Sequence, residues 1–224
     1  MPGRLLSSLH RWMPSLVNMK MIDMKRIIAF AAVIMLLCGC GARKDRNVSV
    51  PFEDMEWTRV APEEIEFNPF QAIGKDWMAL AMGGQSSMNS MTISWGECGV
   101  LWNKPVFTVY VSSDRYSRKL MDSSEYFTVM AFPDTRKNKA GLTYIGSHSQ
   151  RDEPDKTENA GFHVEYTDLG NPVFNEASLA FECRIIYKEE LKKNLMPDDV
   201  KPRYDEMGLH TMFIGEIVNV YRKQ

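Results

Sequence analysis

The chain has 224 residues, of which 44% are hydrophobic, 11% aromatic and 25% charged, values of a globular protein long enough to bury one good core. Its formal net charge of −2 hides a basic leader: ahead of Cys40 stand Arg4, Arg11, Lys20, Lys25 and Arg26 against Asp23, leaving 22 basic and 28 acidic residues beyond, a net of −6. A body that acidic is a poor nucleic-acid binder, which sets that class of partner aside.

Met24-Lys25-Arg26 reads as the charged start of a signal peptide, and residues 27–37 form an unbroken apolar run. That run is shorter than the roughly 20 residues a membrane-spanning helix needs. Leu37-Cys38-Gly39-Cys40 then resembles a bacterial lipobox, after which Cys40 would be lipidated and N-terminal. A plain secretory signal and a buried apolar helix are the other readings of the same run. Residues 1–23 do not belong to a compact signal, so Met24 is a candidate start with 1–23 as an upstream extension. The expected organisation is 1–39 signal and extension, 40–66 lipidated cysteine and polar tether, and 67–224 folded domain. A lipid anchor would hold such a protein to a membrane of the bacterial cell envelope, each buried CH₂ contributing about 0.8 kcal/mol. The body keeps Cys98 and Cys183, which an oxidising envelope permits to pair; two buried apolar thiols are the alternative.

Along the tether, Pro51 and Pro62 interrupt regular structure, and Trp57 is a candidate to pack on the body. Residues 77–82 read as a first strand ending at Gly83-Gly84. Residues 89–95 alternate apolar and polar at period 2, as a half-buried strand does. A turn is expected at Asn103-Lys104-Pro105 and a β-branched, aromatic strand at 106–111. The spacing then predicts a helix over 117–121, a strand over 126–132 stopped by Pro133, and a helix over 137–145. Residues 150–159, highly charged and carrying Pro154, read as a surface loop. A strand at 162–167, a turn at 169–172 and an alternating strand at 179–185 follow. A short helix is predicted over 188–195, a loop over 196–207, and a closing buried strand over 209–221. Many short strands with few helices indicate an all-β fold, a β-barrel or sandwich.

The strand at 106–111 empties into Ser112-Ser113-Asp114-Arg115-Tyr116-Ser117, where backbone amides, hydroxyls and one guanidinium can converge on an anion. The planar fork of Arg suits phosphate. There is no G-x-S-x-G elbow for a nucleophilic serine and no G-x-G-x-x-G or Walker motif. His148, His163 and His210 show no metal-ligand spacing, so no metal is expected. The sixteen methionines scatter as core filling.

The run from Met91-Thr92-Ile93-Ser94-Trp95-Gly96 through Gly99-Val100-Leu101-Trp102-Asn103-Lys104-Pro105-Val106 to Arg115-Tyr116-Ser117 resembles the flavin reductase-like (flavoredoxin-type) family. So does the later Gly146-Ser147-His148-Ser149-Gln150-Arg151-Asp152, and the likeness covers Phe67 to the C-terminus. The resemblance implies an FMN-binding split barrel with a few short helices, a homodimer, and FMN near the subunit interface. It further implies that Asn89, Ser90, Met91, Thr92, Ile93, Ser94 and Trp95 lie along the ring and ribityl chain, with side-chain bonds from Asn89 and Thr92. Arg115, Tyr116 and Ser117 match the phosphate side. Ser147, His148 and Ser149 match a segment approaching from the other face, and Arg151 and Lys156 a charged loop assisting phosphate or dinucleotide. The family pattern would place Arg at Ser112, Pro at Ser113 and Ser at Asp114; losing a cation and gaining a carboxylate weakens a phosphate site. The implied activity is electron transfer through bound FMN, with NAD(P)H or a redox protein as donor. The alternatives are a non-catalytic envelope lipoprotein holding FMN or another small ligand in the same pocket, and a structural protein without the pocket.

Overall fold

The computed structural model describes Phe52 and residues 56–224; the signal, the Met24 start, Cys40 and most of the tether expected from the sequence lie outside these. Ten strands carry the described part: β1 Trp57–Val60, β2 Met78–Met82, β3 Asn89–Ile93, β4 Gly96–Leu101, β5 Lys104–Ser112, β6 Tyr126–Ala131, β7 Val164–Tyr166, β8 Pro172–Phe174, β9 Leu179–Glu190 and β10 His210–Lys223. The main helices are α1 Tyr116–Ser123, α2 Arg136–Ser147 and the single turn α3 Lys156–Asn159. The sheet runs β3-β2-β6-β9-β10-β5-β4, antiparallel throughout, with β7 and β8 forming a separate pair. The all-β expectation with a few short helices is what the chain adopts.

β10 pairs with β9 along one edge; along the other it pairs with β5 over His210–Glu216 and with β1 over Val220–Lys223. The body therefore begins ahead of Phe67, where the sequence reading opened it. Trp57 is buried, stacks on Phe52 at 5.5 Å, and donates its indole N–H to Glu165 at 2.9 Å. Two bulges break the β9–β10 register, one between Ile214 and Gly215. A Cβ at Gly215 would lie 2.6 Å from both the Cys183 Cβ and the Phe127 ring, so this position excludes any side chain.

Two apolar clusters occupy opposite faces of the sheet. One gathers Met78, Leu80, Met82, Phe107, Val109, Phe127, Phe181 and Phe213. The other sets Ala79, Ala81, Met130 and Ala180 under Leu142 and Ile145 of α2 and under Phe162 and Phe174. Hence β2 is buried at every residue, with large side chains on one face and alanines on the other, where α2 approaches.

Several boundaries differ from the sequence reading. The turn is Trp102-Asn103, both at positive φ (53° and 58°), as a two-residue type I′ hairpin requires. Lys104 and Pro105 already belong to β5, where Pro105 lies beyond the residues paired with β10. Of the helix predicted over 188–195 only a 3-10 turn, Lys193–Leu195, forms. β9 continues to Glu190 because Lys188, Glu189 and Glu190 find partners in Phe213, Met212 and Thr211 of β10, and ladder pairing overrides a weak helix preference. The surface loop at 150–159 contains α3, whose Lys156 and Thr157 are buried. Cys98 and Cys183 are free thiols, and burial pushes both pKa values up. Among the described residues no helix is long and apolar enough to cross a membrane.

Glu182 on β9 is a fully buried carboxylate held by neutral donors. The Thr167 hydroxyl, Asn171 Nδ2 (2.7 Å), Asn219 Nδ2 (2.6 Å) and Tyr221 hydroxyl (3.3 Å) all donate to it, tying β9 and β10 to the β7–β8 turn. Removing it orphans several buried donors at once, so Glu182→Ala should destabilise the fold by about 3–5 kcal/mol, read as a lowered urea midpoint at unchanged slope.

Candidate functional site

β5 ends at Ser112, the chain turns through Ser113-Asp114-Arg115, and α1 starts at Tyr116 with no side chain capping its N-terminus. Beside it stands the start of β3, and across from it the C-terminal end of α2. Between them lies a cleft of about 160 Å³. Asn89, Met91, Arg115, Tyr116 and Ser117 line one side; Ser147, His148, Ser149, Arg151 and Lys156 line the other, with Asp114, Ile145, Gly146 and Gln150 between.

Asn89 is 1% exposed; its Nδ2 donates to Ser117 Oγ at 2.9 Å, and its Oδ1 has no partner. That arrangement leaves the Ser117 hydroxyl proton free to donate elsewhere. Gln150 repeats the pattern: its Nε2 donates to Pro154 O while its buried Oε1 has no partner. Orphaned buried acceptors are rare and costly, and both of these belong to residues of one cleft wall.

Lys156 is 2% exposed. Its Nζ donates to Ser90 O at 2.7 Å and His148 O at 3.1 Å, leaving a third N–H without a partner among the described residues. Burial, then the charge of Arg115, lowers its pKa to about 8, with Glu153 opposing. Arg115 donates from Nη1 to Gly146 O at 3.2 Å, which holds the guanidinium across the cleft against the end of α2. The His148 ring stacks on Tyr144 at 3.9 Å and 12°, with Nδ1 3.0 Å from Tyr144 O. Arg151, by contrast, is tied to Asp152 by two bonds at 2.9 and 3.1 Å.

The other sequence candidates serve the walls or lie elsewhere. Ser90 bonds Thr157 at 3.0 Å, Thr92 donates to Leu142 O on α2, and Ile93 is core. Ser94 and Trp95 line a different pocket. Gln150 lines the cleft although the sequence reading did not single it out. His210, read as a strand histidine, sits at the same end of the barrel, its ring 4.9 Å from Trp95. Its buried Nδ1 has no partner, and burial lowers its pKa. No pattern in the sequence marks it, because Trp95 and His210 are far apart in the chain.

Asp114, the residue expected to spoil the phosphate segment, is engaged elsewhere. Its Oδ2 accepts the Gly208 N–H at 2.6 Å, and its own N–H donates to Ser112 Oγ at 3.4 Å. A Cβ at Gly208 would sit 2.2 Å from Ser113 Oγ and 2.5 Å from Asp114 Oδ1, so the latch needs glycine there.

The model of the flavin reductase like domain matches residues 79–224, most of the folded body and more than half of the chain. No curated protein matches. Among solved structures, an FMN-binding domain of a flavin reductases-like enzyme from Shewanella baltica OS155 is similar at a TM-score of 0.54 and 17% identity, over 75% of this chain and 77% of that one. Flavoredoxin from Methanosarcina acetivorans is similar at 0.51 and 23%, over 72% and 76%. An NADH:FAD oxidoreductase of Streptomyces globisporus, solved with NAD and FAD fragments, is similar at 0.50 and 18%, over 66% and 74%. These likenesses make the fold a flavin reductase-like split barrel. The chain belongs to the flavin reductase like domain family, whose members bind flavins.

Proposed function

We propose that the cleft binds FMN and that the protein passes electrons through it. One observation carries this reading: two buried acceptors without donors, Asn89 Oδ1 and Gln150 Oε1, line a cleft that also holds a buried lysine with a donor to spare. Ribityl hydroxyls are donors of the kind those acceptors lack, and a phosphate is the anion that Lys156 and Arg115 suit. The phosphate would take the uncapped start of α1, where first-turn N–H groups and the helix dipole favour an anion and the Ser117 hydroxyl adds a donor. Bound FMN supplies reversible uptake and release of electrons at its ring. The chain's part is to bind and orient: Lys156 neutralises charge from below, and the stacked Tyr144–His148 pair forms a flat wall at the mouth.

The basic leader and lipobox-like Leu37-Cys38-Gly39-Cys40 support an envelope protein lipidated at Cys40. Facing away from the cytoplasm, it would take electrons from a redox protein rather than NAD(P)H. Val100 and Trp102, 77% and 62% exposed at the β4–β5 hairpin, support a homodimer, since large apolar groups gain by being covered. A second reading, a flavin-holding lipoprotein without turnover, is favoured by Asp114: a carboxylate held at the rim of an anion cleft weakens the grip on phosphate.

An absorption spectrum of the protein supplied with FMN should show two visible flavin bands that bleach with dithionite. Bleaching by NADH would make it a reductase, and no flavin uptake would refute the cofactor. Asn89→Ala should weaken FMN about tenfold, roughly 1.4 kcal/mol, measured by flavin fluorescence quenching.

A pH titration tests Lys156. Phosphate binding needs the protonated amine, so FMN affinity should hold below pH about 8 and fall as pH rises through it. Lys156→Met should weaken binding and flatten that fall. In the ligand-free protein the sign reverses. The folded pKa lies below the ordinary value of 10.5, so the unfolded chain binds more protons between the two and Lys156 makes the fold more stable as pH climbs through that window.

A further inference from the structure

β9 and β10 are joined by a long connection, residues 191–209, in which no residue is buried. A segment with so few buried contacts opens locally with little free energy. Its last turn is fastened beside the anion cleft. Gly208 donates its N–H to Asp114 Oδ2 at 2.6 Å, Gly208 O accepts from Ser112 Oγ at 3.3 Å, and Leu209 O accepts from Ser113 N–H at 2.9 Å. Of these bonds only the first involves a charged group.

Asp114 is also part of the cleft lining, next to Arg115. Arg115 and Lys156 bond carbonyl oxygens and, among the described residues, form no ion pair. The Asp114 carboxylate therefore has two competing partners: the Gly208 N–H, which it holds, and the cations of the cleft. An anion seated on those cations removes the second partner and repels the carboxylate toward the first.

We propose that Asp114 couples the cleft to the connection: an anion in the cleft fastens residues 191–209 through the Asp114–Gly208 bond, and an open connection weakens the hold on the anion. With the phosphate of FMN as that anion, this rests on the flavin reading above; the coupling itself asks only for an anion. Both effects share one coupling free energy, so they change by the same factor. The connection carries Tyr204, whose ring stands edge-on to His210 at 5.8 Å, and His210 lies against Trp95 at 4.9 Å. Loading the cleft thereby sets how open the protein is beside Trp95 and His210. A purely architectural latch would hold Gly208 equally with the cleft full or empty.

The test is limited trypsin digestion of the full chain at matched ionic strength, with cleavage after Arg203 in the connection read by mass spectrometry and normalised to a peptide substrate. It is run without ligand and with FMN, inorganic phosphate or riboflavin, and binding is measured in parallel by isothermal titration. FMN and phosphate should slow cleavage about fivefold, and riboflavin, which lacks the phosphate, should not. Asp114→Asn keeps an acceptor for the Gly208 N–H but not the charge, so phosphate should bind it more tightly and no longer change its cleavage. Gly208→Ala places a Cβ 2.2 Å from Ser113 Oγ and 2.5 Å from Asp114 Oδ1, which forces the latch open. It should be cut faster and bind FMN about fivefold more weakly. Phosphate that binds without slowing cleavage, or an Asp114→Asn protein that still responds, would overturn the coupling and leave the flavin reading intact. Protection by riboflavin equal to that by FMN would assign closure to the ring and overturn it too. Protection by phosphate in a protein that takes up no FMN would sink the flavin reading and keep the coupling. If neither anion binds, both fall.

Discussion

Everything in the described body hangs on the two-edged pairing of β10. Its ladder with β9 is nearly continuous, while its other edge is divided between β5 and β1, so this strand joins the hairpin that opens the site to the segment that enters the fold. Every backbone donor in a buried strand must find an acceptor, and a strand paired on both edges satisfies that for its neighbours as well as itself. Its bulges bend the strand around Gly215, where Phe127 and Cys183 leave no room for a side chain. From this ladder follows the place of Ser112, opposite His210, and therefore of the turn that launches α1.

Two kinds of buried polarity coexist, and their contrast separates structure from function. Glu182 is surrounded by donors and closes its own network, so its role is architectural. Asn89 Oδ1 and Gln150 Oε1 have none, and His210 Nδ1, at the same end of the barrel, also lacks a partner. Such atoms are few in a native fold, and each calls for a partner of its own. The satisfied network holds the scaffold; two of the unsatisfied atoms belong to residues of the cleft wall.

Asp114 shows how a departure from a family pattern acquires a structural reason. A carboxylate where the pattern has serine looks hostile to phosphate, yet its Oδ2 is bonded to Gly208, the residue that leads back into β10. The carboxylate thereby anchors the long connection between β9 and β10 beside the cleft. Its charge remains in the lining of the cleft.

Much of this was legible in the chain. Period-2 alternation marked β3 and the first part of β9, and β-branched and aromatic content marked β5. The Arg115-Tyr116-Ser117 and Ser147-His148-Ser149 segments were marked as well, and the fold brings them to one cleft. What the sequence by itself determined is local: which stretches extend, which coil, and which short runs carry anion-binding groups. Tertiary structure alone decided the rest. Lys188-Glu189-Glu190 became strand because β10 offered partners. Lys156 became a buried cation because Ser90 O and His148 O converge on it. Trp95 came to stand beside His210. Each outcome depends on a partner distant in the chain, and no local preference encodes the position of such a partner.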